Sequence, residues 1–479
     1  MKKIIYVILL LSILSCEKDL GVSPQSIITK NTMWKSSEDA LGAMYGMFSQ
    51  LRAAMDKEFI YWGGYRSGFF GDALVSQANF QDMFDNTLDA EDTGTNWAPL
   101  YTTINDCNLI LKYVPEIEFQ DLELKDEILA NSYFVRSFCY YYIARVWGDA
   151  PVLTSGFESD NQEDLYPSRQ PVSVVLQQVE MDVNKAIELF GDEGFSIKIG
   201  SKAAANMLKA DYNLWMAKTQ DGGLEALEEA KKSVMYVLNS TDFVLSISFE
   251  DIFRNDENEE LIFSLEFEMN EATGGFATDW LVAIQYVNDK SLIENPIKVG
   301  SHTQWVCFTP EYEAFLFENP DDQRAGVSLD SYYEEGNQNF RWINKYLGDW
   351  IDNTRFWTSD IKIYRFAEAL LFMAEIENAL GNTSEALKYL NQIAFRAYGQ
   401  KDFYSGNISQ EELDQIILNE RLKEFSAEGK SWWDLIRFGV VFDRVNTLQG
   451  RENEENILFW PVNSNSLNSN SNITQTSGY

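Results

Sequence analysis

Among the charged side chains in the stretch 420–437 are Glu420, Arg421, Glu424, Glu428, Asp434 and Arg437. Paired carboxylates could serve a surface hydrolase, one as general acid and one as base or nucleophile. The signs here are mixed, however. Opposite charges on adjoining helices neutralise each other, whereas acid–base catalysis needs one isolated, desolvated carboxyl. The stretch therefore reads as structural. A buried Arg or Glu at a helix junction satisfies backbone groups that would otherwise cost about 1–3 kcal/mol each. The other catalytic options are thin. His302 is the single histidine, in GSHTQW. That excludes HExxH zinc sites, and a Ser-His-Asp triad has no nucleophile elbow to use. There is no GxxxxGK[ST], no GxGxxG and no CxxC pair, so no nucleotide, cysteine-bound zinc or other cofactor is expected. No catalytic residue is assigned.

The first residues, MKKIIYVILLLSILSC, have the build of an export signal. Lys2 and Lys3 precede an apolar run from Ile4 to Leu14, too short to span a bilayer as a mature helix. A small residue followed by Cys16 resembles a bacterial lipoprotein signal, in which that cysteine is acylated. Each buried methylene of an acyl chain contributes roughly 0.8 kcal/mol. Residues 1–15 are expected to be removed and 16–36 to form a lipidated tether. Cys107, Cys139 and Cys307 remain, an odd number, and buried free thiols are expected. The formal charge of −36 disfavours nucleic acid and anionic head groups. It suits a neutral or cationic ligand, or is simply a solvated acidic surface.

The positioning elements are mainly helices. With 45% hydrophobic residues, a large core is available. Helices are expected from Ser37 to about Met55, Trp97 to Val114, Leu122 to Trp147, Pro171 to Phe190 and Ser201 to Lys218. Hairpins turn at Gly222-Gly223 and at Gly381-Asn382-Thr383, with apolar stripes such as Leu224, Leu227, Ala230, Val234 and Val237. Such pairs look like degenerate tetratricopeptide repeats. The two clearest are far apart, so the array is expected to be interrupted. The expected class is mostly α: helical hairpins over about 37–55, 97–240 and 359–440, packed in one domain (37–479) against irregular parts at about 56–96 and 241–358. Ser246–Phe249 and Leu261–Phe267 carry strand-like composition. Residues 56–96 read as a long aromatic loop. The Asn- and Ser-rich end from Leu458 reads, by composition alone, as a disordered tail.

Several motifs, in order, resemble the SusD/RagB family of surface lipoproteins of Bacteroidetes. Residues 132–142 through Trp147-Gly148-Asp149-Ala150-Pro151 look like its arginine–aromatic helix and W-G-D-x-P end. Tyr364-Arg365-Phe366-Ala367-Glu368-Ala369-Leu370-Leu371 looks like its R-[YF]-A-E-x-L-L helix. Residues 419–437 look like its E-R-x-x-E-x-x-x-E-G-x-R-W-x-D-L-x-R stretch, with Lys430 and Ser431 where Arg is common. Asn472-Ile473-Thr474-Gln475 and Gly478-Tyr479 resemble its ending, which argues for an ordered tail.

The resemblance implies a ligand-capturing lid on a SusC-like TonB-dependent outer-membrane transporter, held at the cell surface by lipid. Family members bind oligosaccharides or, in some branches, peptides. Sugar rings stack their C–H faces on Trp and Tyr, and their hydroxyls need polar side chains at the edges. Two regions supply both: Trp62, Tyr65, Arg66 and Asp72 in YWGGYRSGFFGD, and Trp280, Tyr286, Trp305 and Trp350. Glycan capture, peptide capture by the same fold and surface hydrolysis all remain open at this point.

Overall fold

Helix starts follow local chemistry. Ser36 accepts from the Asp39 amide and Asp39 returns the bond, a capping box that opens α1 (Ser37–Met55). Asp121 caps α3 (Leu122–Trp147) and Ser201 caps α5 (Lys202–Thr219). Between and after them run α2 (Ala98–Tyr113), α4 (Val172–Leu189), α6 (Gly223–Leu238), α7 (Phe366–Ala379), α8 (Thr383–Tyr398), α9 (Gln410–Glu424) and the short α10 (Ser431–Arg437). The computed structural model describes residues 33–75, 78–159, 162, 165–191, 196–333 and 339–479.

Each long helix covers the apolar stripe of the one before it, from α1 on α2 through α5 on α6. Helix α6 then packs on α7, although residues 239–365 separate them in sequence. The array expected to be interrupted is therefore continuous in space. The apolar faces of α6 and α7 need each other, and the intervening chain is extruded to one side. Leu224 departs from its expected stripe, being 68% exposed at the first turn of α6.

The extruded part carries short strands: β2 (Leu261–Leu265), β3 (Val282–Ala283), β4 (Val299–Gly300), β5 (Val306–Phe308), β6 (Leu329–Tyr333), β7 (Asn339–Ile343), β8 (Asp349–Ile351), β9 (Thr354–Phe356) and β10 (Ile361–Arg365). With β1 (Phe70–Asp72) they make two-stranded pairs only. These are β1–β5, β2–β10, β6–β7 and β8–β9, all antiparallel, and β3–β4, parallel. Ser246–Phe249 forms no strand. The Ser246 amide is taken by the Glu260 carboxylate at 2.9 Å instead of by a ladder.

Residues 56–96 are not a long loop. They hold helices Glu58–Gly63 and Ala78–Asp85, and their aromatic side chains enter the main core. A core segment of short elements has no sustained period, which is why it reads as loop. Gly63 is required by close approach: a Cβ there would lie 1.7 Å from the Gly429 carbonyl oxygen. Gly429 in turn has φ of +68°. The YWGG and EGKSWWD stretches thus meet backbone to backbone. The C-terminal end is also tied down. The Trp460 amide donates to the Val146 carbonyl, Trp147 Nε1 to the Pro461 carbonyl, and Gln475 bonds both backbone groups of Val462. Backbone hydrogen bonds outweigh the polar composition here.

A buried ion-pair hub joins the extruded part to the array. Arg365, 1% exposed at the end of β10, donates to Glu260 at 2.7 Å, Glu424 at 2.6 Å and Glu428 at 2.9 Å. Arg396 reaches Glu260 and Glu424, Arg324 pairs with Asp322 and Glu420, and Lys345 pairs with Glu428 at 2.7 Å. Alongside, Arg421 bridges Glu368 and Asp434, and Arg437 bridges Glu375 and Asp434. Burial raises the Glu424 carboxyl, but Arg396, Arg365 and Arg324 outweigh it and hold it well below the usual range. Glu420, Arg421, Glu424, Glu428, Asp434 and Arg437 are paired with one another and with their neighbours. Cys107, Cys139 and Cys307 are buried and free.

Candidate carbohydrate-binding face

Four of the eight expected contact residues are core. Trp62 is 1% exposed; its Nε1 donates to the Gly94 carbonyl at 2.8 Å and its ring packs edge-on against Trp147. Tyr65 is 1% exposed, stacked among Phe70, Phe80 and Phe84. Its hydroxyl accepts from Nε1 of Trp280, itself fully buried. Arg66, also fully buried, donates to Asn86 and to the carbonyls of Ile457, Leu458 and Phe459, with its guanidinium 4.5 Å from the Trp432 ring. Burial pulls its pKa down to about 10, and no carboxylate lies against it. None of these side chains has a solvent face for a ligand. The aromatic pattern that suggested a binding loop is the signature of a core that ties the first loop to the chain end.

Of the other four, Tyr286, Trp305 and Trp350 sit at the surface of the extruded part and Asp72 on β1, which pairs with it. Asp72 is exposed at the end of β1. Antiparallel pairing sets it opposite Val306, and the next amide, Ala73, donates to the Trp305 carbonyl at 3.0 Å. Trp305 is half-buried, its ring 6.2 Å from Phe80. The amides of Trp305 and Val306 both donate to the Asp279 carbonyl at 3.1 Å. The Asp279 carboxyl is pushed up by burial, against the pull of Lys57 and His302. Backbone pairing therefore sets Trp305 opposite Ala73, the residue next to Asp72.

Tyr286 and Trp350, both half-buried, pack on a second core of Leu281, Val282, Val287, Ile297, Val299, Phe340 and Trp342. The Arg355 guanidinium lies 5.2 Å from the Trp350 ring and pairs with Glu294. A cation over the ring is worth about 0.5–1 kcal/mol when exposed and helps fix it. Leu74, two residues after Asp72, packs on this same core, which links the two pairs of residues. Trp357 and Tyr332, half-buried on that core, were not among the expected contacts. For Trp357 the signal is Gly300, where a Cβ would come within 3.3 Å of the indole. That contact pairs residues 57 positions apart and has no local pattern. Chemically, the face offers half-buried indole and phenol rings held from behind, with the Asp72 carboxylate exposed on the paired strand. It can stack on apolar ring faces and accept hydroxyl hydrogen bonds.

Two family models match this chain. One, described as the SusD family, covers residues 315–457; the other, described as starch-binding associating with outer membrane, covers 31–210. The chain belongs to the SusD/RagB family. A SusD-like protein of Formosa agariphila is 27% identical to it, over 94% of this chain and 92% of the relative. A SusD-like protein of Bacteroides ovatus is 22% identical over 74% of this chain and 67% of its own length. Among solved structures, NanU of B. fragilis superposes with a TM-score of 0.81 at 25% identity, covering 96% of this chain and all of that one. A SusD superfamily protein from Bacteroides vulgatus gives 0.80 at 24% identity, over 93% and 100%. The mostly helical class and its packing against an irregular part are those of this superfamily. SusD/RagB membership supports a surface glycan-binding role in polysaccharide utilisation and association with the outer membrane. The family is one of binding proteins. Among the described residues, no helix is long and apolar enough to cross a membrane. Neither SusD family model reaches residues 211–314, which include Tyr286 and Trp305.

Proposed function

We propose that this chain captures neutral oligosaccharides on the face formed by Asp72, Trp305, Tyr286 and Trp350, and passes them to a TonB-dependent transporter. It does so from the cell surface, anchored through lipid on Cys16, after removal of residues 1–15. Cys16 lies outside the described residues, and the anchor rests on the signal pattern. The observation that carries the reading is the pairing of half-exposed rings with a rigid backing: Trp305 on a strand pair, Tyr286 and Trp350 on their own small core. Rings already held in place lose little entropy when a sugar stacks on them. Peptide capture by strand addition has less support, because the strands at hand are at most five residues long. A hydrolase built on Glu420, Glu424 or Glu428 has less still, since all three carboxylates are consumed by buried ion pairs.

The test is a screen of the purified chain by calorimetry and affinity electrophoresis against plant, microbial and host polysaccharides, with a peptide pool alongside. A glycan that binds wild type and fails to bind Trp305→Ala or Trp350→Ala supports the reading. Binding of peptides alone, or glycan binding untouched by both variants, overturns it.

A further inference from the structure

A cleft of about 760 Å³ lies between α1 and α2, and none of the eight expected contact residues lines it. Its size falls inside the range of roughly 300–1,000 Å³ typical of small-molecule sites. One wall is an aromatic pair, Trp34 and Tyr113, with ring centroids 5.2 Å apart and planes 21° from parallel. Trp34 holds φ of +70°. For a bulky residue that left-handed conformation costs of order 1–3 kcal/mol and persists only where the surroundings enforce it. The wall is braced. The Tyr113 hydroxyl meets both Glu158 carboxylate oxygens, at 2.7 and 2.8 Å, and Glu158 also pairs with Lys112. Phe157 beside it is held by Asn105, whose side chain accepts its amide at 2.6 Å.

Gly42 and Gly46, one turn apart on α1, line the same cleft. Glycine inside a helix costs roughly 0.5–1 kcal/mol relative to alanine. Tight packing usually explains it. Here a Cβ at either position would meet no atom within 4 Å. Helix α1 keeps two glycines that its own packing does not require, and both leave room at the cleft. Asp106 is the third feature. It is half-buried, lines the cleft and makes no hydrogen bond or ion pair among the described residues. Burial pushes its carboxyl up to about 6. An acceptor partly withdrawn from water without a donor is a cost that a ligand hydroxyl removes.

We propose that this cleft is a second binding site, taking a neutral saccharide of one or two rings. The sugar face lies on Trp34, and hydroxyls donate to Asp106 and meet the Gln50 amide at the rim. Lys112 is already committed to Glu158, so the cleft offers no free cation to an anionic sugar. The carbohydrate class rests on the function proposed above; the features of the cleft do not. Short saccharides would be held here while a longer chain occupies the Trp305–Trp350 face.

The experiment is calorimetry and ligand-observed NMR on the purified full chain, using defined neutral mono- and disaccharides. Three variants are compared with wild type. Gly46→Leu fills the cleft with a better helix former and should keep the fold while binding falls at least tenfold. Asp106→Asn should weaken binding several-fold. Trp305→Ala reports any short-saccharide binding that takes place at the face instead of the cleft. Loss of short-saccharide binding in Trp305→Ala with retention in Gly46→Leu overturns the cleft and moves the ligand to the face. No binding of any short saccharide by wild type also overturns the cleft, while affinity electrophoresis with polysaccharides still tests the face. Binding of cationic amines but no sugar overturns the proposed class.

Discussion

Arg365 and Trp350 are both large side chains beside a packed core, used in opposite ways. Arg365 has almost no exposed surface and three carboxylates around it. Trp350 keeps part of its ring in solvent although it could have been buried. Around Arg365 every charge answers another and the site has no spare capacity. Around Trp350 and Trp305 the rings are held from behind and left open in front. A region whose charges are paired with one another holds the fold, and a region with surface left over is where a ligand can bind. The hub also does something for the face. Glu260, Lys345 and Arg365, on the extruded part, are fastened to Arg396, Glu424 and Glu428 of the array region, so the face is mounted on the helices through buried charge.

The largest test of that division is Arg365→Met. Removing one member of a buried ion-pair cluster strands the others, and costs about 3–5 kcal/mol. Here three carboxylates lose a partner at once, so the expected outcome is a chain that unfolds at much lower denaturant or does not fold. Urea unfolding followed by tryptophan fluorescence reads it. A variant as stable as wild type would mean that the hub is not what mounts the face.

Acid should strike the same region first. Burial acts to raise the Glu375 carboxyl, but Arg437 and Lys218 outweigh it and hold it down to about 2, against 4.5 in the unfolded chain. A carboxyl lowered in this way contributes stability that is present above the unfolded value and lost as pH falls toward the folded one. Stability should therefore drop between pH 4.5 and 2, by about 3 kcal/mol from this group alone. Asp360 works in the other direction. Burial pushes it up to about 7, so its ionisation opposes folding as pH rises from about 4 to 7. Thermal unfolding across pH 2–7 should show a maximum inside this range, with a steep acid side. A monotonic rise to pH 7 would show that the Asp360 contribution is absent.

Arg66→Met probes the join between the first loop and the C-terminal end. It leaves the carbonyls of Ile457 and Leu458 without a donor, while that of Phe459 keeps the Tyr479 hydroxyl, a loss of about 1–3 kcal/mol. Hydrogen exchange should rise locally at residues 457–479 while α7 and α9 stay protected. Uniform loss of protection would instead place Arg66 in the global core.

How far these two regions could be seen in advance differs for a physical reason. The hub was visible because Arg365, Glu368, Glu420, Arg421, Glu424, Glu428, Asp434 and Arg437 lie at helical spacing in two short stretches, and their mixed signs argued for pairing. The helices of the array were visible from their expected starts, such as Ser37 and Ser201, and from their stripes. The face was only half visible. Trp62 and Trp280 share composition and neighbours with true surface aromatics, and what buries them is contact with residues far along the chain, such as Gly94 and Tyr65. Likewise the Asp72 and Trp305 segments are brought together by a strand pair of three residues, too short to leave a pattern. A packed fold also hides its own continuity: nothing local in residues 239–365 says that α6 and α7 will touch.

Trp305→Ala and Trp350→Ala should separate binding from stability. Both rings are half-buried, so some stability is lost, about 1–2 kcal/mol. Glycan affinity should fall tenfold or more in each. Trp62→Ala and Trp280→Ala should show the reverse bias: a loss of about 3–5 kcal/mol, as for large core truncations, with affinity changing only as folded protein is lost. Calorimetry on the folded fraction distinguishes the two pairs. Equal affinity losses across all four would erase the distinction between face and core.

Asp72→Asn is the smallest and sharpest change. The side chain is exposed at the end of β1, and exposed substitutions of this kind shift stability by no more than about 0.5 kcal/mol. Asn keeps the shape and one acceptor oxygen but loses the charge, so hydroxyl bonds to it weaken rather than vanish. Affinity for a neutral glycan should fall about threefold to tenfold, with the melting temperature unchanged. Because the segments that carry Asp72 and Trp305 are paired, a ligand that spans both makes the double variant with Trp305→Ala lose less than the sum of the two single losses. Additive losses would place Asp72 and Trp305 on separate parts of the ligand, and the face would then be longer than one strand pair.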